Sequence, residues 1–145
     1  MPPSGQSFVI ENTNEFITVY PVTPHGTPVP WLLTNGFTGD MTAAELSDPD
    51  HDGAPTWQEY LAGTNPRDPA SRLVIRNPGT PVLNQPFEIT FPTVSGRTYR
   101  VDTATSLGNW QPLQDGITGS GSDVTVRDIS PLNGKATMFY RIVVY

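Results

Sequence analysis

Residues 87–102, FEITFPTVSGRTYRVD, decide the fold. Phe87, Ile89 and Phe91 alternate with Glu88 and Thr90, Ser95-Gly96 breaks the run, and Tyr99 and Val101 then alternate with Thr98, Arg100 and Asp102. A period of two puts one face of each strand in a core and the other in water. The pattern returns at Val124 and Val126, which alternate with Thr125 and Arg127. Turn signals at Asn77-Pro78-Gly79, Ser95-Gly96, Leu107-Gly108-Asn109, Gly119-Ser120-Gly121 and Asn133-Gly134 divide residues 73–145 into about six short strands. That spacing predicts a small antiparallel β-sandwich with no parallel βαβ unit. With 16 prolines and 13 glycines among 145 residues, long helices are broken everywhere, so helix bundles and coiled coils are excluded.

Upstream of this block the period changes. Residues 24–72 carry short helical signals: Thr27 as N-cap with Pro28 behind it, the apolar Trp31-Leu32-Leu33, and Gly36 past the end. A second segment covers 42–47, and a third covers 57–62 and stops at Gly63. Residues 1–23 hold two β-rich runs, SFVIEN and FITVYPV, separated by Asn12-Thr13-Asn14, which form a hairpin or one interrupted strand. The expected architecture is therefore mainly β. An N-terminal strand or hairpin (1–23) and a short helical segment around an acidic loop (24–72) precede the antiparallel sandwich (73–145).

The acidic loop carries the chemistry. Asp48, Asp50, Asp52, Gly53 and Glu59 reproduce D-x-D-x-D-G-x-x-x-x-x-E, the twelve-position calcium loop of the EF-hand. Carboxylates at positions 1, 3 and 5 converge because the chain curls around the ion, and Gly53 at position 6 permits the curl. Ala54 supplies a backbone carbonyl at position 7. Thr56 at position 9 contributes a hydroxyl or a bridging water, and Glu59 closes the sphere with two oxygens. So many hard oxygen ligands favour Ca²⁺ over Mg²⁺, which prefers an octahedron with retained waters. A competing reading takes DPDHDG as an acidic turn and Thr56-x-x-Glu59 as a capping box. Pro55 at position 8 has no N–H to bond to a sister loop, no second acidic loop occurs, and Gly36, Gly39 and Asp40 interrupt the entering helix. A lone loop of this kind suits structural calcium at extracellular, millimolar concentrations rather than a calmodulin-like switch.

The runs HGTPVPWLLTNGF and DPDHDGAPTWQEYLAGTNPRDPASRLVI resemble the calcium-binding segment of large secreted and surface proteins of bacteria such as Verrucomicrobia and Planctomycetes, which is related to thrombospondin type 3 repeats and dockerin loops. The most specific block is residues 48–69. FPTVSGRTYRVDTATSLGNWQPL and MFYRIVV resemble the β-sandwich module that commonly follows that segment. The likeness covers roughly residues 25–145. It implies calcium ligands at Asp48, Asp50, Asp52 and Glu59, and it implies no reaction. His51 stands where Gly is frequent at the non-liganding position 4, and a dockerin proper would need a duplicated loop.

The net charge is −6 and Lys135 is the only lysine, so no basic stripe exists to neutralise phosphates and nucleic acid is excluded as a partner. There are no cysteines, which removes thiolate catalysis, zinc–thiolate sites and disulfides. No run approaches ~18 apolar residues, so no membrane insertion is expected. His25 and His51 are the only histidines and neither sits in a catalytic motif, so an enzyme is not expected. Asp102, Asp115, Asp123 and Asp128 read as solvated charges on polar strand faces and turns.

Trp110 and Tyr99 are candidates for a glycan platform, with core packing as the competing reading. Phe8, Ile10, Phe16, Ile17, Val19 and Tyr20 place apolar groups on both faces of the N-terminal strands. That arrangement points either to burial or to strand addition between subunits or to a neighbouring domain. The expectation is a non-catalytic, calcium-stabilised structural or adhesive module, extracellular or at the cell surface, whose partners are copies of itself or adjacent domains. A carbohydrate-binding accessory module of a secreted enzyme is the alternative.

Overall fold

The computed structural model describes residues 7–13, 16–76, 78–83, 85–129 and 137–145, with side chains from Val19 onward. The turn signals at Asn14, Asn77 and Asn133-Gly134 fall outside these residues. The chain divides into two compact units, Met1–Arg72 and Leu73–Tyr145.

The first unit begins with β1 (Ser7–Thr13) and β2 (Phe16–Val22). They pair antiparallel from Thr13↔Phe16 to Ser7↔Val22 as a two-stranded sheet of their own, which resolves the N-terminal alternative in favour of the hairpin. Three single- to double-turn helices follow: α1 (Val29–Thr34), α2 (Met41–Leu46) and α3 (Thr56–Ala62). Their small core is Leu32, Phe37 and Ala44, flanked by Trp31 and Met41. Trp31 meets Tyr60 edge-on at 5.2 Å. Arg67 closes the unit by donating to the carbonyls of Asn35 (2.7 Å) and Gly36 (3.1 Å) while its guanidinium lies 4.8 Å from the Phe37 ring centre.

Two helix starts differ from the sequence reading. Pro28, not Thr27, occupies the N-cap of α1, because the Thr27 hydroxyl is committed to Glu45 instead. Asp40, read as a helix interrupter, is the N-cap of α2 and accepts from the N–H groups of Thr42 (2.9 Å) and Ala43 (3.2 Å). Gly63 ends α3 at φ +76°, where its N–H returns to the Glu59 carbonyl at 2.7 Å.

The second unit contains β3 (Phe87–Pro92), β4 (Thr98–Ala104), β5 (Gln111–Thr118), β6 (Asp123–Asp128) and β7 (Phe139–Val144). About six strands are expected; five are present among the described residues, and Arg76 adds a single antiparallel rung to Thr90. β3 pairs with β6, and β4 lies between β5 and β7. Ile89, Phe91 and Val126 from one sheet meet Tyr99, Val101 and Ile117 from the other, so the alternation in residues 87–102 does build a two-sheet core. On the wet face of β3 and β6, Thr90 and Thr125 share a hydroxyl contact of 2.8 Å. The β4–β5 register slips around Val101, and Gly116 sits on the slipped stretch at φ +65°, as a bulge requires. The fold is a small mainly-β architecture with a short helical segment. Among the described residues, no helix is long and apolar enough to cross a membrane.

Candidate metal centre

α2 ends at Leu46 and α3 begins at Thr56, and the acidic loop is the whole of the connection. Its backbone is shaped by its own carboxylates. Asp48 accepts from the N–H groups of His51 (2.9 Å) and Gly53 (3.1 Å), Asp50 from Asp52 (3.3 Å), and Asp52 from Ala54 (2.8 Å). These side-chain-to-backbone turns are what Asp favours in loops. His51 and Gly53 take positive φ, +63° and +96°, so the non-liganding fourth position is left-handed and carries a residue tolerated there.

Asp50 and Asp52 each use one oxygen for these turns and leave the other, Oδ2, buried without a partner. Carboxylate oxygens of Asp48, Asp50 and Asp52 lie within 4.8 Å of one another, an arrangement that can hold a metal ion. Glu59, on the first turn of α3, is 1% exposed, and neither of its oxygens has a hydrogen-bond partner. Among the described residues, five buried side-chain polar atoms are unpartnered, and four belong to Asp50, Asp52 and Glu59; the fifth is Thr103 Oγ1. Burial, followed by the charges of Asp50 and Asp52 and more weakly Asp48, outweighs the lowering influence of the Thr64 hydroxyl and pushes the Glu59 carboxyl up to about 7.

The capping-box reading of Glu59 does not hold. The N-cap of α3 is Pro55, which makes no side-chain cap bond, and no backbone N–H donates to the Glu59 carboxylate. Thr56 is fully buried and its hydroxyl donates to the Ser47 carbonyl at 2.8 Å, the same oxygen that accepts the Thr56 N–H at 2.8 Å. This pair of hydrogen bonds to one carbonyl pins the end of the loop to its start. It leaves the lone pairs of the hydroxyl oxygen, not its proton, for any ligand. Ala54 follows Gly53 at the seventh position, with its N–H held by Asp52.

Two further polar clusters escape a reading by pattern. Glu45 on α2 is completely buried and accepts from the hydroxyls of Thr23, in a very short contact, and Thr27 (3.3 Å), and from the His25 N–H (3.3 Å). His25 Nδ1 lies 3.0 Å from the same carboxylate, and the His25 ring stacks on Trp57 at 4.8 Å. Burial disfavours the charge on Glu45, but the bonds from Thr23 and His25 outweigh it and hold its carboxyl below the usual range. Glu45 is buried while its neighbour Leu46 is exposed, the reverse of what residue type alone suggests.

In the second unit, Asp102 is 1% exposed, contrary to the expectation of a solvated charge. Arg100 (2.7 Å) and Arg141 (2.9 Å) both donate to it, and Arg141 in turn lies 4.5 Å from the Trp110 ring centre. Asp128 is likewise buried and accepts from the Tyr140 hydroxyl at 2.9 Å.

Tyr99 cannot serve as a glycan platform. It is 1% exposed, packs against Phe91, and its hydroxyl accepts the Val94 N–H at 2.8 Å, because its place on β4 points it into the core. Trp110 is half-buried with Arg141 over its ring. The backbones of Phe8, Ile10, Phe16, Ile17, Val19 and Tyr20 all lie in the β1–β2 ladder; Val19 is exposed and Tyr20 half-buried, and the side chains of the other four are outside the described set. No protein-family model, curated protein or solved structure matches the chain.

Proposed function

We propose that the chain is a non-catalytic calcium-binding module whose ion stabilises a β-rich structural or adhesive element outside the cell. One observation carries the reading: four orphaned carboxylate oxygens of Asp50, Asp52 and Glu59 lie in a loop whose spacing is that of an EF-hand. Buried acceptors without donors are costly, and a divalent cation is the partner that satisfies several at once. Asp48, Asp50, Asp52, Glu59 and the Ala54 carbonyl would hold Ca²⁺, with Thr56 contributing through oxygen or water.

Pro55 has no N–H to pair with a sister loop, and helices of six and seven residues are too short to open a calmodulin-like groove, so the ion acts on the structure of its own segment. Weak structural sites fill only where calcium is millimolar, which supports an extracellular or surface location. Apart from the Val22–Pro28 bridge, the β1–β2 ribbon pairs with no third strand among the described residues, an arrangement suited to strand addition from another copy or an adjoining domain. The test is solution mass with and without residues 1–20: a polymer or dimer that dissociates on truncation supports assembly, and an unchanged monomer rejects it. The glycan-binding alternative is left with Trp110 alone, and a glycan screen with Trp110→Ala addresses it.

A further inference from the structure

We propose that metal occupancy of the acidic loop controls the turn of residues 23–27, and through it the base of the N-terminal hairpin, by way of Glu45, His25 and Trp57. The proposal rests on the calcium reading above and extends it to regulation. Thr23 follows Val22, the last residue of β2, and Val22 itself bridges to Pro28 just beyond the turn. The turn is closed by the Thr23 N–H to the Thr27 carbonyl (3.0 Å) and the Gly26 N–H to the Thr23 carbonyl (2.8 Å). Its buried residues are threonines, so its position depends on polar contacts rather than an apolar core.

Those contacts come from the two helices that the loop joins. From α2, the Glu45 carboxylate accepts from Thr23, Thr27 and the His25 N–H. From α3, the Trp57 ring lies against His25 with planes 18° apart. Glu45 stands two residues before Ser47 and Trp57 one after Thr56, and Ser47 and Thr56 are the pair whose two hydrogen bonds close the loop. The turn is therefore held between two short helices whose mutual placement is the closed state of the loop.

Helices of six and seven residues do not persist alone in water. Without a cation, four carboxylates in one loop repel and favour an opened loop, which separates Glu45 from Trp57 and releases the turn. With the ion, both sides return. The closed and opened loop are the two states, and the ion and the turn bias the same equilibrium, so the coupling is reciprocal.

The experiment is backbone amide exchange on the full chain in calcium and in EDTA, with calorimetry on the same samples to report binding. Calcium should slow exchange at Thr23 and Gly26 in the wild type by about tenfold, inside the usual range of coupling between sites. Trp57→Leu removes the stack and keeps every ligand. It should still bind calcium and still protect the amides of residues 51–54 and 56, but lose most of the added protection at Thr23 and Gly26. Glu45→Gln, which preserves shape, should behave alike and serves if Trp57→Leu does not fold. Binding by calorimetry with no calcium effect at Thr23 and Gly26 overturns the coupling and leaves the metal site standing. Full protection of the turn in both variants does the same. No binding heat at all overturns the metal reading and the coupling together.

Discussion

Thr56 donates twice to a single acceptor: its N–H and its hydroxyl both reach the Ser47 carbonyl at 2.8 Å. Residues nine apart are thereby joined at the neck of the loop, and Thr56 is fully buried as a result. Thr56→Val removes the hydroxyl bond and keeps the shape. It should cost about 1–2 kcal/mol in urea denaturation, the range for a buried hydrogen bond, and Thr56→Ser should recover most of it. Equal losses for Val and Ser would mean that packing, not the hydroxyl, closes the neck.

Glu59→Gln separates the two states of the loop by sign. In EDTA the substitution removes a buried, repelled carboxylate and should raise the melting temperature at neutral pH. In calcium it removes a ligand and should lower affinity by at least about tenfold, with a lower melting temperature than wild type. A change of the same sign in both solutions contradicts the assignment of Glu59 to the ion.

The pH dependence follows from the same group. In the metal-free protein Glu59 titrates near 7 against 4.5 in the ordinary state, so the folded chain holds a proton that the unfolded chain has released between those values. The contribution of Glu59 to metal-free stability is therefore fully present below about 4.5 and is lost as pH rises towards 7. Calcium requires the ionised carboxylate, so binding near pH 6 should release close to one proton, read from calorimetry in two buffers of different ionisation enthalpy. Identical observed heats in the two buffers would mean that no proton is released and would contradict ligation by a Glu59 carboxyl that is protonated in the metal-free protein.

Much of this arrangement is legible from residue types in order. Ile89, Phe91, Tyr99, Val101 and Val126 are buried as the period of two demands, and the loop declares itself because calcium ligation fixes both the residue type and the spacing. What pattern alone cannot reach depends on partners distant in sequence. Glu45 is inside because Thr23, His25 and Thr27, eighteen or more residues away, supply donors. Asp102 is inside because Arg141, thirty-nine residues on, stands opposite it on β7, the strand paired with β4. A polar residue on the outer side of an alternating strand looks solvated until such a partner covers it. Tyr99 shows the converse: an aromatic that composition offers to a ligand is already spent on the core.

Asp102→Asn tests the covered carboxylate. Arg100 and Arg141 keep 31% and 44% of their side chains exposed, so losing their partner should cost about 2 kcal/mol, less than the ~3–5 of a fully buried pair. Although burial opposes its charge, the bonds from Arg100 and Arg141 hold the Asp102 carboxyl below its usual 3.8. Its stabilisation is thus present above that value and disappears as pH falls through the lowered one. The mutant should consequently lose less stability than wild type on acidification below about pH 4, measured by denaturant midpoint.

Gly119→Ala should damage the second unit severely. A Cβ there would lie 2.0 Å from the Val94 carbonyl oxygen and 3.1 Å from that of Arg97, both main-chain atoms that cannot swing aside. Gly119 also donates its N–H to Arg97 at 2.8 Å. A loss above about 3 kcal/mol is expected, against less than about 0.5 for Gly79→Ala, where no atom lies within 4 Å. Comparable denaturation curves for the two variants would contradict the close approach.

The central claim is tested most directly by titrating the metal-free chain with calcium in a calorimeter at neutral pH, alongside Asp50→Ala. The account predicts one saturable site with a dissociation constant of about 10⁻⁴–10⁻³ M and no binding by the variant. A flat titration of the wild type up to several millimolar calcium, or equal binding by Asp50→Ala, would contradict it.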